Sequence, residues 1–173
     1  MLSNRLKNVV SQVNTGNLIA DIGTDHGYVP IYLIKNSIAK KAIAADISKG
    51  SCDKAKTNIS LYGLNDKIDV RCGNGLEIIK DSEIIDTIII SGMGGLLTID
   101  VLKSNEKAVK NANQLILQPQ RDIEKVRAYL HSINYKIINE EMLMESGKYY
   151  TIINAVKGSD EEYSEIEYYF GKF

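Results

Sequence analysis

The spacing of hydrophobic positions changes repeatedly along the chain, between the period of a helix and the short apolar runs of strands. The first stretch has helical spacing, and Ser3 can cap it, so we predict an opening helix. Its apolar positions are Leu2, Leu6, Val9, Val10 and Val13. Seven later stretches are strand-like: "NLIADI", "KAIAADI", "KIDVRCG", "IIDTIIISG", "NQLILQP", "YKIINEEML" and "YYTIINAVK". The fourth is a nearly continuous β-branched run, and we predict that it is the most buried strand.

A helical stretch follows each of the first five strands. These stretches are residues 28–35, "SKGSCDKAKTNISLYG", "GLEII", "LLTIDVLKSNEKAVKNA" and "QRDIEKVRAYLHSI". Alternating strands and helices predict an α/β fold, in which a parallel sheet is covered by helices on both faces. The last two strands have no helix between them, which favours antiparallel pairing. With 173 residues and 44% hydrophobic composition, we expect a single domain spanning 1–173.

Composition excludes several classes of protein. A formal net charge of −1 gives no overall cationic signal for nucleic acid or membrane, and no apolar run reaches the roughly 20 residues that a membrane span needs. Cys52 and Cys72 lie far apart without the spacing of a zinc site or a disulfide framework, so we expect both to be small buried hydrophobic residues. We therefore expect a cytoplasmic protein without a metal, and we take a monomer as its oligomeric state.

The loop "DIGTDHGY", residues 21–28, follows the first strand and holds the first of only two histidines. Gly23 and Gly27 permit a tight turn and close approach of a ligand to the backbone. A dinucleotide fingerprint would require glycine at positions 25 and 28, which are Asp and Tyr, and an aspartate would repel a pyrophosphate. The loop instead suits a ligand with positive charge and no phosphate, such as the sulfonium and amino groups of S-adenosylmethionine.

Two further loops complete a candidate nucleoside site at the carboxyl ends of the strands. Asp46, after the second strand, can accept hydrogen bonds from ribose hydroxyls, and Asn74, after the third, can pair with an adenine edge. The alternative is purely structural, with glycines closing turns and aspartates capping helices. The candidate cofactor-binding residues are Asp21, Gly23, Thr24, Asp25, Gly27, Asp46, Ile47, Gly73, Asn74, Gly75 and Ser91.

The glycine-rich loop "SGMGG", residues 91–95, follows the strand predicted to be most buried. So few side chains at a strand end indicate that a flat group comes close to the backbone. Amino-methyltransferases that carry an Asp/Asn-Pro-Pro-aromatic motif at this point place the target amine there. This chain lacks that motif, which indicates a different target nitrogen, whereas the structural alternative is a flexible turn.

The segments "DIGTDHGYVP", "AADIS", "GNGL", "SGMGG" and "LILQPQ" occur in this order, and together they resemble the TrmK family of bacterial tRNA (adenine-22-N1)-methyltransferases. The resemblance covers nearly the whole chain. It implies a class I, Rossmann-like fold with a seven-stranded, mostly parallel sheet whose last strand is antiparallel. It also implies S-adenosylmethionine as the methyl donor and an adenine in the D-arm of tRNA as the target. Family members continue into a helical, coiled-coil-like domain after the region matching "EIEYYFGKF", where this chain stops.

Methyl transfer to a ring nitrogen depends mainly on alignment, and the N1 lone pair of adenine makes a strong base dispensable. Oxygen atoms near the exocyclic amine would stabilise the developing positive charge, and Tyr28 could stack on the base. The candidate catalytic residues are Asp25, His26, Tyr28, Gly92, Met93 and Gly94. For His26, a role in tying the loop is the alternative.

Candidate RNA contacts are Arg5 and Lys7 on the opening helix, and Gln118 at the end of the fifth strand. Lys35, Lys40 and Lys41 could also meet phosphates. For Gln118 the ordinary explanation is strand termination at Pro119, and we expect His131 to lie on the surface. Two alternative functions stay open: methyl transfer to another RNA or a small molecule, and an inactive nucleoside- or RNA-binding module.

Overall fold

The chain folds around one sheet in a computed structural model that describes residues 2–161 and 163–172. The strands of this part of the chain are β1 Gly16–Ile22, β2 Ala39–Asp46, β3 Ile68–Cys72, β4 Thr87–Met93, β5 Gln114–Pro119, β6 Tyr135–Glu145 and β7 Lys148–Lys157. Its helices are α1 Asn4–Ser11, α2 Tyr28–Lys35, α3 Lys49–Leu61, α4 Gly95–Lys103, α5 Glu106–Asn111, α6 Ile123–Ser132 and α7 Glu165–Phe170.

The sheet has the strand order β3-β2-β1-β4-β5-β7-β6. Strands β1 to β5 pair in parallel, while β7 is antiparallel to both of its neighbours, β5 and β6. This arrangement confirms the predicted mostly parallel sheet of seven strands with an antiparallel last strand. The chain order reverses between β1 and β4, and in open α/β sheets a crevice for ligands forms at such a point, beyond the carboxyl ends of the strands.

Helices cover both faces of the sheet and divide the core into two layers. Helices α1, α2 and α3 pack on one face, where Ile89 of β4 contacts a cluster that includes Leu33 of α2. Helices α4, α5 and α6 pack on the other face, which receives Ile88 and Ile90. All three isoleucines are fully buried, as we predicted for the strand with the most continuous apolar run.

Local structure differs from the predictions in three places. The segment "GLEII" forms turns instead of a helix. The predicted helix from Leu96 onward is two helices, α4 and α5. The second begins at Asn105, whose side chain accepts a hydrogen bond from the backbone N–H of Ala108. Helix α7 was not predicted. Ser3 does cap α1 by accepting a hydrogen bond from the backbone N–H of Leu6.

Of the prediction for the two cysteines, only the burial of Cys52 is confirmed. Cys52 and Cys72 are joined by a disulfide, and Cys72 is exposed. Parallel pairing of β2 with β3 places Cys72 opposite Asp46, and α3 begins just after β2, so Cys52 lies beneath the same strand ends. The pairing depends on this crossover and could not be recognised from sequence spacing.

Within residues 2–161 and 163–172, no helix is long and apolar enough to cross a membrane. The same residues contain no group of three or more metal-ligating side chains that could hold an ion.

Candidate active site

The loop between β1 and α2 is held over the end of β2 by its backbone. The N–H groups of Gly23 and Thr24 donate to the carbonyl of Ala45 at 2.8 and 2.9 Å. Gly23 has φ +78°, and a Cβ there would collide with the methyl group of Met93. The positive φ favours glycine at this position, and the Met93 side chain would have to move to admit any other residue.

Asp21 is the buried acid of this loop. Only 4% of the residue is exposed, and its Oδ2 accepts a hydrogen bond from the hydroxyl of Thr24 at 2.7 Å. Burial is the main reason why the pKa of Asp21 is raised to about 7; the Thr24 hydrogen bond acts against it, and the nearby Asp46 carboxylate adds a smaller increase. Near neutral pH this carboxyl is therefore divided between its protonated and charged forms, and a cation beside it would favour the charged form.

Asp46 joins three loops at the ends of β1, β2 and β3. Its Oδ2 accepts from the N–H of Asp25 at 3.1 Å, and its Oδ1 accepts from the N–H of Ser48 at 2.9 Å. The backbone carbonyl of Asp46 accepts from the N–H of Gly73 at 3.0 Å. Each carboxylate oxygen has a second lone pair, so the side chain can hold the loops and still accept hydrogen bonds from a ligand.

Three further residues predicted to bind the cofactor follow the ends of β2 and β3. Ile47 projects from the rim with 73% of its surface exposed. Asn74 is also exposed, and its amide donates to Glu77 at 2.9 Å. Gly75 has φ +51° and lies against Ser104 of the following helix pair. Ile47 and Asn74 therefore form an open edge, while Gly75 shapes the turn behind it.

His26 and Tyr28 form a stacked pair above the loop. Their ring centroids lie 5.5 Å apart with an interplanar angle of 16°. His26 Nε2 is 3.3 Å from Asp25 Oδ2, and the backbone carbonyl of His26 accepts from the amide of Asn58 at 2.9 Å. The backbone of His26 thus ties the loop to α3, while its ring remains beside Asp25 and Tyr28.

Gly27 has a packing role that the prediction did not assign. It is buried, has φ +73° and precedes α2, and a Cβ there would lie 3.3 Å from the Cβ of Ala55 in α3. The residue allows α2 and α3 to approach each other.

Arg5 reaches from α1 into the crevice between β1 and β4. Its Nη1 donates to the hydroxyl of Ser91 at 2.8 Å and to Oε1 of Gln118 at 2.7 Å, and its guanidinium carbon lies 5.5 Å from the ring centroid of Tyr150. Gln118 is fully buried behind Ser91, and Lys7 is exposed on the surface of α1. The two predicted RNA contacts on α1 therefore lie in different surroundings.

The glycine-rich loop after β4 divides into an open part and a packed part. Gly92 has φ +85°, and a Cβ there would lie 3.7 Å from Nη1 of Arg5. A Cβ on Gly94 would lie 3.1 Å from Nε of Arg121, and Gly95 donates its N–H to the carbonyl of Arg121 at 2.9 Å. Gly92 therefore leaves space at the crevice, whereas Gly94 and Gly95 permit the approach of the loop before α6.

A cavity of about 270 Å³ occupies the crevice and brings together nine residues of the predicted site. Its lining contains the predicted residues Arg5, Asp21, Gly23, Thr24, Asp25, His26, Tyr28, Ser91 and Gly92. It also contains Leu6 and Val29, which sequence reasoning missed, since they read as ordinary core positions of amphipathic helices. Ten other predicted residues are outside this lining: Lys7, Gly27, Asp46, Ile47, Gly73, Asn74, Gly75, Met93, Gly94 and Gln118.

The charges in the cavity are separated. Two carboxylates, Asp21 and Asp25, lie on the β1 side, and one cation, Arg5, lies on the β4 side beside Ser91. This arrangement complements a zwitterion that carries an ammonium or sulfonium group near one wall and a carboxylate near the other. The amino-acid part of S-adenosylmethionine has this distribution of charge.

Comparisons with known proteins also indicate a methyltransferase. A family model described as "Methyltransferase domain" matches residues 2–153. The chain is 40% identical over 166 residues to the tRNA (adenine(22)-N(1))-methyltransferase of Bacillus subtilis (strain 168), covering 95% of this chain and 69% of that protein. It thus spans about 70% of that relative's length.

Solved structures are similar over the full fold. Sp1610 of Streptococcus pneumoniae, solved with S-adenosyl-L-methionine, has a TM-score of 0.96 and 35% identity, over 100% of this chain and 80% of that one. TrmK of M. capricolum, solved with S-adenosyl-homocysteine, has a TM-score of 0.92 and 35% identity, over 99% of this chain and 76% of that one.

Proposed function

The chain belongs to the TrmK family of tRNA (adenine(22)-N(1))-methyltransferases, and we propose that it transfers a methyl group from S-adenosylmethionine to N1 of adenine 22 in tRNA. The observation that carries this proposal is the cavity between β1 and β4. It combines the acidic residues Asp21 and Asp25 with the bare backbone at Gly92 and the cation of Arg5. Residues 1–173 would act as one catalytic domain.

The donor is proposed to lie across the ends of β1, β2 and β4. Asp46 would accept hydrogen bonds from the ribose hydroxyls, with Ile47 against the adenine face and Asn74 at its edge. The amino group and the sulfonium would face Asp21 and Asp25. Gly23, Thr24, Gly27, Gly73, Gly75 and Ser91 would complete the loops that hold the donor.

Arg5 is proposed to bind the carboxylate of the donor, in place of the RNA phosphate that we predicted from sequence. Its guanidinium is half-buried and contacts the neutral acceptors Ser91 and Gln118. Among the described residues, no carboxylate lies within 4 Å of this guanidinium. A cation in these surroundings is best stabilised by an anionic ligand. Lys7, which is exposed, remains a candidate for phosphate contact.

The chemical step is an in-line displacement. The N1 lone pair of adenine forms the new C–N bond as the C–S bond breaks, and the electron pair of that bond returns to sulfur, giving S-adenosylhomocysteine. The adenine ring becomes positively charged, so Asp25, the ring of His26 and the carbonyls at residues 92–94 are proposed to stabilise this charge. Tyr28, with Met93 below the loop, would hold the base in line with the methyl group.

The protein is proposed to act as a monomer in the cytoplasm, where tRNA is available.

Transfer of a labelled methyl group tests the proposal. The protein is incubated with methyl-labelled S-adenosylmethionine and a tRNA transcript that has adenine at position 22, and the RNA is then digested to nucleosides. We expect label in 1-methyladenosine, and none with a transcript that carries guanine at that position. Label in another nucleoside, in another RNA or in a small molecule would contradict the proposed target, and absence of any transfer would contradict the activity.

A further inference from the structure

We call the cavity between β1 and β4 the catalytic cavity. A second cavity, of about 340 Å³, lies beside it on the outer side of α2. Three tyrosines line it: Tyr28, Tyr32 and Tyr62. Tyr28 also lines the catalytic cavity, so the two spaces meet at this ring. Tyr28 is the one residue that the two linings share.

The position of the cavity follows from the spacing of α2. Tyr28, Tyr32 and Lys35 are separated by four and three residues, which places them on one face of the helix. The opposite face contains Leu33 and is buried against the sheet. The exposed stripe therefore starts at the catalytic cavity and leads away from it along the helix.

The aromatic rings of this stripe are accessible. Tyr32 is 38% exposed and Tyr62, at the end of α3, is 49% exposed. The Nζ of Lys35 lies 4.6 Å from the ring centroid of Tyr62. The lining includes this lysine and no carboxylate, unlike the catalytic cavity with its two aspartates.

Exposed aromatic rings beside a cation are the arrangement by which proteins bind unstacked nucleotides. Bases stack on the rings with little dependence on sequence, and the cation lies near the backbone phosphates. The N1 atom of adenine lies on the edge used for base pairing, so an enzyme that methylates it must take the base out of its helix. Its neighbours in the RNA then lose a stacking partner, and a surface next to the catalytic cavity can supply another.

We propose that the cavity lined by Tyr28, Tyr32, Tyr62 and Lys35 binds the nucleotide that adjoins the target adenine in the RNA substrate. Its base stacks on Tyr32 or Tyr62, and its phosphate faces Lys35. This inference rests on the proposed function, since it assigns a subsite for the same RNA.

Steady-state kinetics of Tyr62→Leu, with Tyr32→Leu as a second variant, test the proposal. Loss of a stacked base should raise the KM for the tRNA transcript by roughly 5-fold or more, while the KM for S-adenosylmethionine stays unchanged. Tyr62→Phe keeps the ring and should retain the wild-type KM. The matched control is Tyr129→Leu, because Tyr129 has Lys103 at 5.6 Å from its ring but lies in α6, on the other face of the sheet.

Transcripts with an abasic site on either side of adenine 22 separate stacking from a general effect on binding. One of the two should raise the KM of the wild-type enzyme, and it should have no further effect on Tyr62→Leu, because both changes remove the same contact. Independent, additive effects would overturn the proposal, as would an unchanged KM for tRNA in both leucine variants. If wild-type enzyme methylates no RNA, the proposed function itself has failed, which is a different outcome.

Discussion

Nη1 of Arg5 lies 2.7 Å from Oε1 of Gln118, although 113 positions separate the two residues in the chain. This contact joins the first helix to the end of β5 across the crevice. Glu145 of β6 supports it by accepting the N–H groups of Asn4 and Arg5 at 2.8 and 3.3 Å. The start of α1, and with it the guanidinium, is therefore positioned by the far end of the sheet.

Replacement of Arg5 by alanine should weaken binding of S-adenosylmethionine. A hydrogen bond between charged groups contributes about 1.5–3 kcal/mol, so we expect the dissociation constant to rise at least roughly 10-fold. Calorimetry measures this directly. Methylthioadenosine, which lacks the amino-acid carboxylate, serves as the control ligand and should bind both proteins equally.

An equal loss of affinity for both ligands would show that Arg5 acts through the shape of the cavity. A raised KM for tRNA with unchanged donor binding would instead return Arg5 to the role of a phosphate contact.

Asp46→Ala should reduce the affinity for S-adenosylhomocysteine by about 10-fold or more, because the ribose hydroxyls lose a charged acceptor. The variant also releases the N–H groups of Asp25 and Ser48 from the side chain. Asp53→Ala, at an exposed position of α3, is the matched control. Calorimetric affinities of the two variants that do not differ would rule out the ribose contact.

The buried carboxyl of Asp21 should make stability depend on pH. Its pKa is about 7 in the folded protein against an ordinary value of 3.8, so the unfolded chain loses this proton first as the pH rises. The folded state therefore becomes less stable between about pH 4 and pH 7. From pH 4.5 to 7.5 the free energy of unfolding should fall by roughly 3 kcal/mol through this group.

Asp21→Asn removes the titration while keeping an oxygen that can accept from Thr24. Urea denaturation of both proteins at the two pH values should show the wild type losing roughly 3 kcal/mol more than the variant. Parallel pH profiles would mean that Asp21 is charged in the folded protein throughout this range.

The ion pair between Arg127 and Glu140 offers a test of the packing around α7. Arg127 Nε lies 2.8 Å from Glu140 Oε1, both side chains are only 4% exposed, and Nη1 donates to the carbonyl of Tyr168 at 2.6 Å. Arg127→Met would leave a buried carboxylate without its partner and should lower the free energy of unfolding by about 3–5 kcal/mol. The exposed pair of Lys110 and Glu106 is the control.

Lys110→Met should change the free energy of unfolding by less than about 1 kcal/mol. In the double variant Arg127→Met, Glu140→Leu we expect much of the lost stability to return, because neither charge is then buried alone. Similar losses in Arg127→Met and Lys110→Met would contradict the role given to burial.

The sheet and its loops could be predicted from the sequence because they depend on local patterns. The apolar run at residues 84–92 specifies a buried strand, and the loops after β1 and β4 carry their glycines at adjacent strand ends. Parallel pairing places such loops at one edge regardless of the details of packing. The cavity lined by Asp21 and Gly92 follows from these two facts.

The direction of individual side chains could not be predicted in the same way. Arg5 reads as a surface cation of an amphipathic helix, and contacts with residues distant in the chain, such as Ser91 and Gln118, orient it inward. The disulfide and the burial of Gln118 also depend on distant neighbours. His131 is another example, because we expected it at the surface and its ring is 13% exposed, 3.0 Å from the hydroxyl of Tyr168.

The insertion of β7 between β5 and β6 has a consequence for synthesis on the ribosome. Within the described part of the chain, β6 pairs with β7 alone, so residues 135–145 of a nascent chain cannot join the sheet until residues 148–157 have left the exit tunnel. Glu145, which contacts the start of α1, and Tyr150, which contacts Arg5, both belong to this hairpin. In a growing polypeptide, the loops after β1, β2 and β4 can therefore form before the hairpin, whereas the contacts of Glu145 with α1 and of Tyr150 with Arg5 form only after it.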